Sequence, residues 1–302
     1  MKKIIKICTL CLVFFGCKNE PNSSGKLNVV TTTTMITDLV QAIGGEAIEV
    51  NGLMGSGVDP HLYKASEGDV SKLVNADVIF YNGLHLEGKL VEVFEKMGRT
   101  KTPIALADGL DKSTLIGSDY FASNYDPHVW FNIGYFKQFA EQVTAILSEQ
   151  DPNNAAIFKA NAESYLNKLD SLQGNVNTII ETLPKEKRIL VTAHDAFNYF
   201  GRTYGFEVVG LQGLSTATEA GVQDVQKLAA FIIEKNIKAI FVESSVPRRT
   251  IEALQAAVNS KGHHVEIGGT LYSDALGTAG TIEGTYIGMF EYNVNTIVNA
   301  LK

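Results

Sequence analysis

Cysteine is almost absent from this chain of 302 residues, and the three present, Cys8, Cys11 and Cys17, all fall within the first seventeen positions. A body without cysteine cannot be held by disulfides, so its stability must come from a packed core. Basic runs are missing as well. The formal charge is −7, and it becomes more negative once Lys2, Lys3 and Lys6 are removed with a leader. A net acidic body of this kind is a poor nucleic-acid binder and suits a soluble cation as ligand. No short internal repeat is present, which sets aside solenoids and propellers. Nor is there a His-Glu-x-x-His pair, the helical signature of many zinc hydrolases.

The N-terminus carries three lysines in Met1–Lys6, an apolar run from Ile7 to Phe15, and Gly16-Cys17 before polar residues begin at Lys18. Charged, apolar and small-residue regions in that order make a secretory signal over residues 1–16, too short to span a bilayer permanently. Cys17 directly after Gly16 reads as the lipid-attachment residue of a bacterial lipoprotein, which places the protein in the cell envelope, anchored outside the cytoplasm. Residues 17–26 hold little that could pack and form a flexible tether.

Beyond the tether, 45% hydrophobic and 20% charged residues describe an ordinary globular protein. Strand-like and helix-like segments alternate. Leu27–Thr32, Ala47–Val50, Asp77–Tyr81 and Pro103–Ala107 are β-rich, with helical patterns at Met35–Ile43 and at Ser66–Val74, where Ser66 and Asp69 have capping-box spacing. In the second half the strands are Arg188–Thr192, Phe206–Val209, Ala239–Val242 and His264–Ile267. Helices are expected at Ala196–Tyr204, Val222–Asn236, Arg249–Asn259 and Glu283–Leu301. Such alternation implies parallel βα units. Between the halves lies a long helical pattern, with Asp151 as N-cap, Pro152 at the first helical position and Pro184 as its stop. It is one stiff helix, or two broken near Gly174. The expected architecture is therefore α/β, with two βα lobes of parallel sheets, 27–150 and 185–302, joined by a linking helix over 151–184.

Three histidines sit in loop-forming contexts, Asp59-Pro60-His61, Asp126-Pro127-His128 and Ala193-His194-Asp195, and Ser273-Asp274 adds a carboxylate. Three imidazoles and one carboxylate form a set that can close around a transition metal. His194 directly follows a strand, which puts it at the carboxyl end of a sheet, where open α/β folds place their ligand sites. Two of the four residues come from each half, so the ion belongs in the cleft between the lobes.

These motifs, with Phe241-Val242-Glu243-Ser244-Ser245 and the lipoprotein N-terminus, resemble the solute-binding lipoproteins of zinc and manganese ABC transporters. The resemblance runs from about residue 27 to the C-terminus. It implies that His61, His128, His194 and Asp274 ligate one ion, Zn2+ or, as second choice, Mn2+, and that the protein works as a monomer delivering the ion to a membrane permease. Manganese-selective members often carry glutamate where His194 stands, and many zinc members carry a histidine-rich loop that Asp111–Tyr125 lacks. Three imidazoles favour zinc.

The remaining polar residues have plainer readings. Asp59, Asp126 and Asp195 are turn or cap formers, with Asp195 placed to cap the helix behind His194. Glu243 either orients a ligand or only closes a strand. His85, in Asn82-Gly83-Leu84-His85-Leu86-Glu87, resembles a family segment but is structural. His263 and His264 border a strand as surface and core residues respectively, facing opposite sides. Two other functions share the same composition: an exported zinc-dependent hydrolase, and a surface adhesin.

Overall fold

A computed structural model describes residues 25–98, 101–119 and 121–302. The leader, Cys17 and most of the tether lie outside the described residues. Within them, no helix is long and apolar enough to cross a membrane.

The first lobe follows the expected alternation. Strand β1 (Leu27–Thr31) leads into α1 (Thr34–Gly44), then β2 (Ile48–Gly52), α2 (Glu67–Asn75), β3 (Val78–Tyr81), α3 (Val91–Met97) and β4 (Ile104–Ala105). The sheet order is β2-β1-β3-β4, and every pairing is parallel. Helix α2 starts where the sequence placed it: Asp69 N donates to Ser66 Oγ at 3.2 Å and Ser66 N returns a bond to Asp69 Oδ2 at 2.9 Å. This reciprocal cap satisfies two amides that a helix start leaves orphaned. The Pro103–Ala107 run yields only two strand residues before the chain tightens into a 3-10 turn over Leu106–Gly109.

Helices α4 (Ile133–Gln150) and α5 (Ala155–Glu181) come next. The long helix therefore begins three residues later than expected, at Ala155 rather than Pro152. Asp151 instead closes α4, at φ −134° and ψ 80°, because a residue before proline is pushed out of the helical region. Its carboxylate accepts Asn154 Nδ2 at 2.6 Å across the turn. Helix α5 is unbroken at Gly174 and keeps 27 residues, a rod of about 40 Å.

The second lobe is built from β5 (Ile189–His194), α6 (Asn198–Tyr204), β6 (Glu207–Gln212), α7 (Val222–Glu234), β7 (Ala239–Glu243), α8 (Arg249–Asn259), β8 (Glu266–Leu271) and α9 (Tyr286–Leu301). Strand β5 pairs in parallel with β6, and β7 with β8. The last strand runs further than the sequence pattern implied, through Gly268 and Gly269. Those glycines read as breakers, but a Cβ on Gly268 would lie 2.7 Å from Ala300 Cβ and 2.9 Å from Phe241. They let α9 and β7 approach the strand closely.

The largest core is continuous across the molecule. It joins Val29 and Phe80 of the first sheet and Leu39 of α1 to Phe136 and Phe139 of α4, Leu169 and Val176 of α5, Phe200 of α6, Phe241 of β7 and Phe290 of α9. Two smaller apolar clusters lie within single lobes, one around Val191, Ile240 and Ile251, the other around Val30, Ile79 and Phe94. The backbone helix α5 thus packs into both halves at once.

Gly174 is exposed inside α5, with nothing within 4 Å of the position a Cβ would take. Gly174→Ala should stabilise the fold by about 0.5–1 kcal/mol, through better helix propensity and a less flexible unfolded chain. Thermal unfolding followed by circular dichroism should show a melting point raised by about 1–3 °C. A lowered one would mean that the helix needs its glycine.

Candidate metal centre

The two Asp-Pro-His segments fold alike. Asp59 Oδ1 accepts His61 N at 2.8 Å, and Asp126 Oδ1 accepts His128 N at 2.9 Å. In each, the aspartate closes a turn over proline and presents the histidine, as the sequence suggested. The loop bearing His61 hangs from the end of β1, where Leu53 N donates to Thr31 O at 2.9 Å and Met54 N to Thr32 O at 3.1 Å. Its Asp59 also reaches the other lobe, accepting Thr216 Oγ1 at 2.5 Å.

His194 ends β5 and Glu243 ends β7, so both sit at carboxyl ends of parallel strands. Glu243 Oε1 accepts His194 N at 2.8 Å, and Oε2 lies 2.6 Å from Nδ1 of the same residue. Of its two readings, Glu243 therefore takes both: it closes a strand and holds a ring. Asp126 does the same for His128, with Oδ1 2.7 Å from Nδ1, while Asn198 Nδ2 donates to its other oxygen at 3.0 Å. A carboxylate on one ring nitrogen fixes the tautomer and aims Nε2 at the metal position.

Asp274 lies in the loop after β8. Its Oδ2 is 3.2 Å from His194 Nε2, its Oδ1 is 3.6 Å from His128 Nε2, and Ser245 Oγ donates to Oδ2 at 3.4 Å. His61 Nε2 and His128 Nε2 are 3.3 Å apart. One donor atom from each of His61, His128, His194 and Asp274 lies within 4.8 Å of the others, and all four residues are buried. Donors held tetrahedrally at about 2.0–2.1 Å from an ion would be about 3.3 Å apart. The His61–His128 and His194–Asp274 edges match that spacing at 3.3 and 3.2 Å, the Asp274–His128 edge is longer at 3.6 Å, and the whole set lies within 4.8 Å. His194 Nε2 and Asp274 Oδ1 make no well-aligned hydrogen bond despite these contacts at 3.2 and 3.6 Å. Buried polar atoms are rarely left so, and a cation would satisfy both.

Charges in the cluster lean on one another. Burial pushes the His61 ring down to about 3, with Asp274 pulling the other way. For His194 burial also opposes charge, but Asp274 and Glu243 outweigh it and hold the ring well above the ordinary imidazole range. Burial would raise Asp274; the neighbouring histidines, His194 foremost, bring it well below the usual carboxylate range instead. Asp59 is raised by burial and then by the charge of Asp274.

Other residues fall outside this set. His85 is exposed, its ring 6.2 Å from Phe121. Asp195 does not cap the following helix, which starts three residues on; its Oδ1 accepts Gly210 N of β6 at 2.7 Å. That position must be glycine, because a Cβ there would meet Asp195 N at 2.5 Å. The His263–His264 reading is reversed. His264 is exposed beside Glu266, and His263 is half-buried, with Nε2 2.9 Å from Ile237 O. Both precede β8, outside the strand, where strand alternation does not apply.

Sequence reasoning missed the groups that brace the loops. Trp130 Nε1 donates to Ser273 O at 3.1 Å, its ring lies 5.3 Å from that of His128, and Tyr286 OH donates to Trp130 O at 2.6 Å. One indole thus ties the His128 segment to the Asp274 segment. No motif flags it, although its two-residue distance from His128 could have.

Two βα lobes with a buried set of three imidazoles and one carboxylate between them define a metal-ion-binding protein of the two-lobed α/β class. The chain belongs to the ZnuA family, described as zinc-uptake complex component A, periplasmic, whose model matches residues 29–300. It is 48% identical over 292 residues to the manganese-binding lipoprotein MntA of Bacillus subtilis (strain 168), covering 95% of this chain and 94% of that one. To the zinc-binding protein TroA of Treponema pallidum (strain Nichols) it is 48% identical over 287 residues, covering 95% and 92%. The solved structure of the periplasmic zinc-binding protein TroA from Treponema pallidum superposes with a TM-score of 0.89 over 92% of this chain and 99% of that one, at 48% identity.

Asp274 and Glu243 favour the charged form of His194 against its burial, so an incoming cation should compete with a proton there and affinity should rise with pH. Calorimetry of Zn2+ binding in buffers of different ionisation enthalpy should show proton release at pH 7, reduced in Glu243→Gln. Equal release by both proteins would contradict this charge arrangement. His61 works in the opposite sense on folding: its depressed value means that the unfolded chain takes up a proton the folded one refuses, so stability should drop as pH falls from about 6.5.

Proposed function

We propose that the protein captures Zn2+, with Mn2+ as second choice, outside the cytoplasm and delivers it to an ABC permease, working as a monomer anchored to the membrane through lipid on Cys17. His61, His128, His194 and Asp274 are its ligands. Lobes 27–150 and 185–302, joined through 151–184, carry two ligands each. The observation that carries this reading is the convergence of four buried donors, within 4.8 Å, from loops far apart in the chain.

Relatives named for manganese and for zinc stand at the same identity, 48%, so likeness does not choose the metal. Donor chemistry favours zinc: imidazole nitrogens suit it, whereas manganese is better served by oxygen. The reading includes no catalysis. A catalytic zinc keeps three protein ligands and an open position for water, whereas four protein donors converge here, and nothing favours the hydrolase alternative.

Metal content of protein purified without added ions, then competition between Zn2+ and Mn2+, tests the cargo. At a free Zn2+ concentration of 100 Kd the fold should gain about 2.7 kcal/mol. Replacing any one of the four donors by alanine should weaken binding by more than about 100-fold, since loss of an outer partner alone costs 10- to 100-fold. A wild-type isotherm for one of these variants would remove that residue from the set, and tighter binding of Mn2+ would reverse the order of metals.

The anchor is tested separately. Intact mass of membrane-extracted protein should exceed that of the polypeptide from Cys17 onward by the mass of its acyl chains. Cys17→Ala protein that still fractionates with membranes would rule out lipid on this residue.

A further inference from the structure

The segment Asn82-Gly83-Leu84-His85-Leu86-Glu87 follows β3, and metal binding as described gives it no task. Its geometry is unusual. Gly83, Leu84 and His85 are consecutive left-handed residues, at φ 87°, 50° and 63°. They curl the chain back on the Glu87 carboxylate, which is 2% exposed. Oε1 of Glu87 accepts Asn82 N at 2.8 Å and Thr32 Oγ1 at 2.7 Å, and Oε2 accepts Gly83 N at 3.3 Å. Successive amides wrapped round an anion form a backbone nest, here with the anion supplied by the chain itself.

Two partners of that carboxylate each hold a ligand loop. The carbonyl of Thr32 accepts Met54 N at 3.1 Å, at the start of the loop leading to His61. The side chain of Asn82 donates to Pro127 O at 3.0 Å, immediately before His128. Asn82 spends its other donor contact on Gly83 O at 3.1 Å, so its orientation is fixed from both sides. The ends of β1 and β3 are thereby pinned to one carboxylate, and the loops bearing His61 and His128 hang from those ends.

We propose that Glu87 and Asn82 are positioning residues that set the spacing between His61 and His128, so that two of the four donors are already in register when the ion arrives. This rests on the reading of those histidines as ligands. A segment that only closed the end of β3 would need no donor aimed at Pro127, and the nest would stop at Gly83. Bonds that reach both loops through one buried anion are what a spacing device requires.

The test compares Asn82→Ala, Asn82→Asp and Glu87→Gln with wild type and with Asn161→Ala. Asn161 Nδ2 donates to Ile43 O at 2.9 Å, a bond of the same kind made from α5 to the first lobe. Three quantities are read on the purified protein: metal-free melting point, Zn2+ affinity by chelator competition, and the visible absorption of bound Co2+, which reports donor geometry. Both Asn82 variants should weaken Zn2+ binding about 10-fold or more and shift or weaken the Co2+ bands. Glu87→Gln keeps an oxygen for Asn82 and Thr32 but turns an amide on Gly83 N, and should fall between. Asn161→Ala should lower the melting point alone.

Asn82 variants with a lowered melting point but wild-type affinity and Co2+ bands would overturn the proposal and leave the segment a strand closure. Should Asn82→Ala not fold, Asn82→Asp and Glu87→Gln decide by the same criteria. Wild-type protein that binds neither ion would instead overturn the metal reading, and this inference with it.

Discussion

Desolvation governs this molecule. Four ionisable side chains converge between two lobes, out of reach of water, and each would be costly there alone. They are tolerated because carboxylates lie against the rings: Asp274 beside His194 and His128, Glu243 beside His194, and Asp126 beside His128, while burial disfavours a charge on His61. Removing one partner from such a set leaves an uncompensated buried charge, which is far more damaging than losing a surface pair. The loops, strand ends and turns around the site can be understood as the means of keeping these groups facing one another.

That requirement explains the rigid connection between the halves. Donors on different lobes stay within bonding distance of a common centre only if the lobes keep their relation, and the shared core around α5 and α9 provides it. A hinge of two or three flexible residues is the usual route to domain closure, but here aromatic and aliphatic side chains from both halves interlock along one rod. The bond from Thr216 to Asp59 adds a further tie between the halves.

Much of this was legible in the residues. Apolar runs bounded by turn formers gave most strands within a few residues, because a buried parallel strand must be apolar on both faces. Two members of the buried cluster were legible because aspartate, proline and histidine in succession make a turn that offers a ring, and the pattern occurs twice. What stayed hidden depended on distant partners. The start of α5 was set by Asp151 and Pro152 ending α4 rather than beginning a new helix. The length of β8 was set by α9 pressing on Gly268. Asp195 looked like a cap until Gly210 of a neighbouring strand supplied a nearer donor.

Trp130 is the sole indole in the chain, and it stands between the His128 loop of one lobe and the Asp274 loop of the other. Its ring touches the His128 environment and its N–H holds the carbonyl beside Asp274. Indole emission responds to the polarity and charge of its immediate surroundings, and all of the indole emission from this protein arises at one place. The molecule thus carries an optical probe at its own centre, spliced across the interface that cargo must join. Occupancy can be watched in real time without a label, and without ambiguity about which part of the structure is being seen.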